Sequence, residues 1–147
     1  MTQRTLTTFP AIVAIALGLS ACMTAPAQTD SAGLAGTMWS VEAVNGQSTA
    51  GRSDFTVAFS GTTFDARFGC RRATGNYAIT YASNGDPRPG FRGYNARISG
   101  SPCTGTFAEQ LGPEIISTAT FSLDRQTDGR LMMAQPPTFI LLRPLRR

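Results

Sequence analysis

Phe68 to Tyr77 reads FGCRRATGNY, and this stretch decides how the rest of the chain is read. It joins one alternating apolar run, Phe64, Ala66 and Phe68, to another, Tyr77, Ile79 and Tyr81, through a cysteine, two glycines and an arginine pair. Alternation at a period of two on both sides marks strands with one buried face. Gly69 and Gly75 permit backbone geometry that a side chain would hinder, so a strand end followed by a turn is expected between the runs. Cysteine, arginine and glycine this close together also suit an active-site loop at first sight. The sequence around them weighs against that.

Working outward, the same period recurs at Trp39, Val41 and Ala43 and at Phe55, Val57 and Phe59. Later sets are Phe121 with Leu123, Leu131 with Met133, and Phe139 to Leu142. Asn45-Gly46, Gly61 and the segment SNGDPRPG, with Asn84-Gly85 and Pro87 to Gly90, supply turn chemistry between them. Eight or so short strands with such punctuation indicate a mainly β fold, an antiparallel sandwich or barrel. One segment departs from the pattern. Thr106-Phe107-Ala108-Glu109 fits a helix capping box, in which the Thr106 hydroxyl and the Glu109 carboxylate satisfy each other's backbone amides. Phe107, Leu111, Ile115 and Ile116 follow at helical spacing, and Gly112-Pro113 is expected to kink the helix or split it into two short turns. A lone helix among strands closes a barrel end or covers a sheet edge.

The N-terminus carries a different signal. Met1 to Ala21 has the layout of a bacterial export signal, with Arg4 ahead of the apolar run Ala11 to Ala21. That run is shorter than the roughly 20 residues needed to span a bilayer. Leu19-Ser20-Ala21-Cys22 resembles the lipobox of bacterial lipoproteins, the alternative being a plain secretory peptide with an incidental cysteine. The lipobox resemblance implies that Cys22 is lipidated and becomes the first mature residue. Two or three acyl chains, at ~0.8 kcal/mol per buried methylene, hold a protein stably on a membrane without crossing it. Met23 is not the aspartate associated with inner-membrane retention, so a periplasm-facing position on the outer membrane is expected. Residues 22–36 read as a tether of small and polar residues, about 20 Å long if flexible. Residues 37–147 are then one domain with a single core.

Every one of the 13 basic residues is arginine, against 9 acids and no histidine. Arg67, Arg71, Arg72, Arg88, Arg92 and Arg97 gather in one span in which Asp86 is the only acid. Tyr81, Phe91 and Tyr94 interleave with them, a composition that also suits nucleic acid. An exported lipoprotein does not normally meet nucleic acid. Anionic lipid headgroups or lipopolysaccharide phosphates are the better partners, at about 1 kcal/mol per basic residue near a charged surface. A solvated rim with no ligand is the bland alternative. Without histidine there is no Ser-His-Asp or Cys-His arrangement and no histidine metal site. Glu42, Asp54, Asp65, Asp86 and Glu109 are scattered, and Asp124 and Asp128 flank a turn as hairpin solvation rather than calcium ligands. No Gly-rich phosphate loop is present, and nothing calls for a cofactor or metal.

Gly36-Thr37-Met38-Trp39 with Val41, Gly69-Cys70 followed by Gly75-Asn76-Tyr77, and Cys103 ahead of a helix carrying Phe107 and Leu111 together resemble the META domain of heat-inducible bacterial envelope lipoproteins. The match covers nearly all of residues 37–147. Arg71 stands where that family commonly has asparagine, and Gly100-Ser101-Pro102 replaces its usual threonine-containing approach to the second cysteine. The resemblance implies a small barrel-like fold with one helix, an envelope anchor, a stress association and no established catalytic activity.

With Cys22 lipidated, Cys70 and Cys103 are the two remaining thiols in an oxidising compartment, which favours a disulfide over two reduced buried cysteines. Closing the loop of about 33 residues is worth ~3.7 kcal/mol by chain entropy. The spacing is not that of a C-x-x-C redox pair. The expected function is therefore a non-catalytic, lipid-anchored envelope protein with a structural, stress-protective or binding role, its partner anionic or another envelope protein. The alternative is a periplasmic inhibitor of a hydrolase such as lysozyme or a protease. Lysozymes of the common type are strongly basic, and the mature charge of about +3 is repulsive toward them.

Overall fold

A computed structural model describes residues 32–81 and 87–145. Cys22, the export signal, most of the tether, the Asn84-Gly85 turn and Asp86 lie outside the described residues. The strands are β1 (Met38–Val44), β2 (Gln47–Ser48), β3 (Phe55–Ser60), β4 (Thr63–Phe68), β5 (Arg71–Tyr81) and β6 (Pro89–Ser99). The helix α1 (Phe107–Thr118) then leads to β7 (Thr120–Arg125), β8 (Leu131–Gln135) and β9 (Thr138–Pro144). Neighbouring strands pair antiparallel in the order β1-β3-β4-β5-β6-β7-β8-β9, and β9 pairs back onto β1. The result is a closed eight-stranded antiparallel barrel, with β2 as a short flap on β1. The β1–β2 hairpin turns at Asn45-Gly46, both with positive φ (49° and 82°), the paired geometry that tight hairpins need and that Asn-Gly accommodates.

Alternation fills the barrel from within. Phe55, Val57, Phe59, Phe64, Ala66 and Phe68 are all buried, and Leu123, Leu131, Met133, Ile140 and Leu142 line the far wall. Phe91 lies among rings: stacked on Tyr77 at 5.6 Å, edge-on to Phe59 at 5.9 Å and Phe64 at 6.0 Å, tilted against Phe121 at 6.3 Å. Tyr77 takes its hydroxyl to the far side of this cluster and donates it to the Gly61 carbonyl at 2.7 Å.

Five expectations are corrected. Val44, not Ala43, is the third inward residue of β1, because a register shift between Val41 and Ala43 flips the alternation. Ile79 is half-buried and Tyr81 is 57% exposed, so the inward set of β5 fades toward its end. The tether stops short of Gly36: Leu34 is fully buried, and the Thr37 amide closes a turn on its carbonyl at 3.0 Å. Of the two alternatives at Gly112-Pro113, a kink or a split, the split does not occur: one helix runs through Pro113, and it buries Ala108, Glu109, Gly112, Pro113, Ile116 and Ser117. Leu111, expected inward, is 41% exposed. Small residues decide this rotation. Gly112 rests on the Phe68 ring so closely that a Cβ there would overlap it, and one on Gly93 would meet the Ile116 carbonyl at 2.5 Å. The helix thus lies against the inward faces of β4, β5 and β6.

Candidate functional site

FGCRRATGNY runs from the end of β4 into β5, and its residues separate into an inward latch and an outward charged wall. Gly69 has φ +65°, a conformation L side chains avoid, and a Cβ there would come within 2.6 Å of Glu109 Oε1. Cys70 is bonded to Cys103, with Cα atoms 5.7 Å apart. Both cysteines are exposed, and beneath them Glu109 is wholly buried. Its Oε1 accepts from the amides of Cys70 and Cys103, each at 2.9 Å. Its Oε2 accepts from the Thr104 amide (2.6 Å), the Thr104 hydroxyl (2.6 Å) and the Gly105 amide (3.1 Å).

The capping box is therefore half formed. The Thr106 hydroxyl caps the Glu109 amide at 3.3 Å, but the Glu109 carboxylate bypasses Thr106, whose amide turns to Thr104 Oγ at 3.4 Å. The carboxylate instead ties the β4–β5 junction to the start of α1. Burial alone would push its pKa up; the Thr104 hydroxyl and the amides of Cys103, Cys70 and Thr104 outweigh this and hold it at about 2. Glu109 is thus a buried anion satisfied by dipoles. Cys70, Cys103 and Glu109 place their ligand atoms within 4.8 Å of one another, the spacing of a metal site. With the sulfurs spent on each other and both carboxylate oxygens occupied by donors, the trio is a latch. Sequence reading assigned Glu109 only to a cap; its proximity to Cys103 in the chain was the available signal.

The six arginines do not form one patch. Arg71 leaves the set: from the start of β5 it reaches α1, donating to the Gln110 carbonyl and to Glu114 at 2.9 Å. Its Nε is buried without a partner. Arg67 and Arg72 sit directly opposite each other on β4 and β5, and Arg97 opposite Thr74, all outward. Asp65, one position along β4, takes both nitrogens of the Arg72 fork, with Nε at 2.7 Å. No acid among the described residues pairs with Arg67, Arg92 or Arg97. Like charges directly opposite on a sheet are unfavourable, so Arg67 and Arg72 with one aspartate leave this wall positive. Arg92 lies further along β6 beside the exposed Tyr94, and Arg88 is exposed ahead of β6. Phe91 belongs to the core and is withdrawn from any surface role. Gly75 serves the register shift between β5 and β6, where a Cβ would meet Ala96 Cα at 2.9 Å.

Beside this wall a groove of about 410 Å³ runs between Met38, Ser53, Thr56, Ala58, Asp65, Arg67 and Leu145. Met38, which the sequence offered only within the Gly36-Thr37-Met38-Trp39 motif, and Leu145, which it did not mark, are 44% and 40% exposed. No family model matches the chain, and no curated protein matches it. Among solved structures it is similar to one described as the NMR structure of the protein from Burkholderia xenovorans, at 17% identity and a TM-score of 0.49, over 78% of this chain and 85% of that one.

Proposed function

We propose that this chain is a non-catalytic, lipid-anchored envelope protein of the META type, whose barrel wall binds an anionic partner, lipid headgroups or lipopolysaccharide phosphates first. The observation that carries the reading is the outward trio Arg67, Arg72 and Arg97, of which only Arg72 has an acid partner, Asp65, among the described residues. Arginine forks suit phosphate, and an uncompensated like-charge pair gains from an anion placed over it. The use of the carboxylates supports a structural rather than catalytic role. Glu42, Asp54, Asp65, Glu114 and Asp128 each engage an arginine, Glu109 engages amides, and Asp124 accepts from Gln126.

Two measurements test this. Incorporation of labelled palmitate and membrane fractionation should be lost in Cys22→Ala; unchanged labelling would remove the anchor. Binding of the mature chain to lipopolysaccharide or phosphatidylglycerol should fall with salt and with Arg67→Ala, Arg72→Ala and Arg97→Ala combined. Binding indifferent to both would reject the anionic partner.

A further inference from the structure

We infer that the wall around the groove is a bilayer-docking face, on which Met38 and Leu145 enter the interfacial region of an anionic membrane while Arg67 meets its phosphates. This rests on the anionic-partner reading and names both the occupant and the side chains that reach it. Three observations converge. First, the exposed apolar side chains are adjacent: the Leu145 amide donates to the Met38 carbonyl at 2.9 Å, and both line the same groove as Ala58 and Arg67. An apolar pair flanked by arginine is the composition of a surface that lies on lipid.

Second, the chain joins the barrel here. Gly36, Thr37 and Met38 line a second hollow together with Arg125 and Leu145, and Arg125 also donates to the carbonyls of Ala32 and Gly33, so the first described residues lie beside this hollow. Only nine residues, 23–31, separate Cys22 from the first described residue. A tether of that length keeps the side it leaves from closest to the membrane. Third, the charge is complementary to anionic lipid. Arg67 is unpaired among the described residues, Asp65 is neutralised by Arg72, and the sequence continues after Leu145 with Arg146 and Arg147.

The test uses the mature chain from residue 22 carrying Cys22→Ala, so that no acyl chain contributes. All of the buried core lies between Leu34 and Leu142, so this chain keeps the whole fold. Co-sedimentation with phosphatidylglycerol vesicles should exceed that with phosphatidylcholine vesicles. Arg67→Ala should weaken it about fivefold, the effect of one basic residue near a charged surface. Met38→Asp with Leu145→Asp should weaken it about tenfold or more, since partial burial of two apolar side chains is lost. Met38→Ser with Leu145→Ser, which adds no charge, should weaken it in the same direction. Near-ultraviolet circular dichroism of Trp39 checks that each variant is folded. Loss on arginine replacement with no change in the Ser pair would overturn the docking face and leave the anionic-partner reading standing. No binding to anionic vesicles, or equal binding to neutral ones, would overturn both. Palmitate labelling of the full chain reports on the anchor independently of either.

Discussion

Glu109, which the sequence marks only as part of a capping box, is the buried anion on which the latch turns. A buried carboxylate without a cation is normally expensive, and here five donors from Cys70, Cys103, Thr104 and Gly105 replace its hydration. Its pKa falls from an ordinary 4.5 to about 2, which corresponds to about 3 kcal/mol of preference for the charged form. A group with a depressed folded pKa contributes stability fully above its unfolded value and loses it as pH falls through the folded one. Glu109→Gln should therefore cost about 3 kcal/mol at neutral pH, because the amide also turns a donor toward backbone N–H groups. Urea unfolding of the oxidised protein measures it. The gap between wild type and variant should close as pH is lowered from about 4.5 to 2. Asp54 and Asp128 are also lowered, by Arg52 and by the Arg130 amide respectively, but they titrate in both proteins and cancel. A gap constant across that window would show that Glu109 is not an anion in the fold.

At the scale of elements, α1 shows where sequence patterns inform and where they mislead. Large apolar residues at helical spacing pointed to Phe107, Leu111, Ile115 and Ile116; Ile116 is buried and Phe107 and Ile115 pack half-buried on the core, but Leu111 is exposed and the fully buried stripe is one residue further round. Contact distance decided this, since Gly112 lets the helix backbone approach Phe68, and Glu109 had to face the amides it satisfies. Gly112→Ala is favoured by helix propensity by about 1 kcal/mol, but its Cβ would enter the Phe68 ring. It should destabilise by about 1–3 kcal/mol, as overpacking does; a gain in thermal midpoint would show that the helix can lift away freely. Strands were legible because alternation survives in one dimension: Phe55 to Phe59 and Phe64 to Phe68 alternate as read. Irregularities were not, since the shift at Val41/Ala43 depends on pairing with β9, about a hundred residues away. The arginine cluster dissolved for the same reason. Adjacent residues of a strand face opposite ways, so Arg71 and Arg72 part company, one to α1 and one to Asp65. The disulfide needed only chemistry of compartment and an even count, and Cys70–Cys103 is bridged. Denatured, unreduced protein should accordingly show neither thiol to an alkylating reagent. Cys70→Ala with Cys103→Ala should lower stability by up to about 3.7 kcal/mol.

For the molecule as a whole, closure of β9 onto β1 seals the sheet and puts the proposed binding surface on the outside. Eight strands make a barrel whose interior is either filled by side chains or just able to hold one small ligand. Here Phe59, Phe64, Tyr77, Phe91 and Phe121 meet within it, each at most 3% exposed. Carriage of a small apolar molecule therefore has no room among these rings unless they part, which is why the proposed binding surface is the wall that carries Arg67 and Met38. Phe91 tests this, because it contacts four other rings and sits on β6 where α1 and β7 converge. Phe91→Ala should cost about 3–5 kcal/mol, the transfer of the ring plus the void it leaves. An apolar void of that kind stays dry and admits small aromatics, so benzene should raise the thermal midpoint of Phe91→Ala and leave that of the wild type unchanged. Benzene stabilising the wild type as well would mean that the native interior opens to apolar guests, and the case for an external partner surface would lose its main structural support.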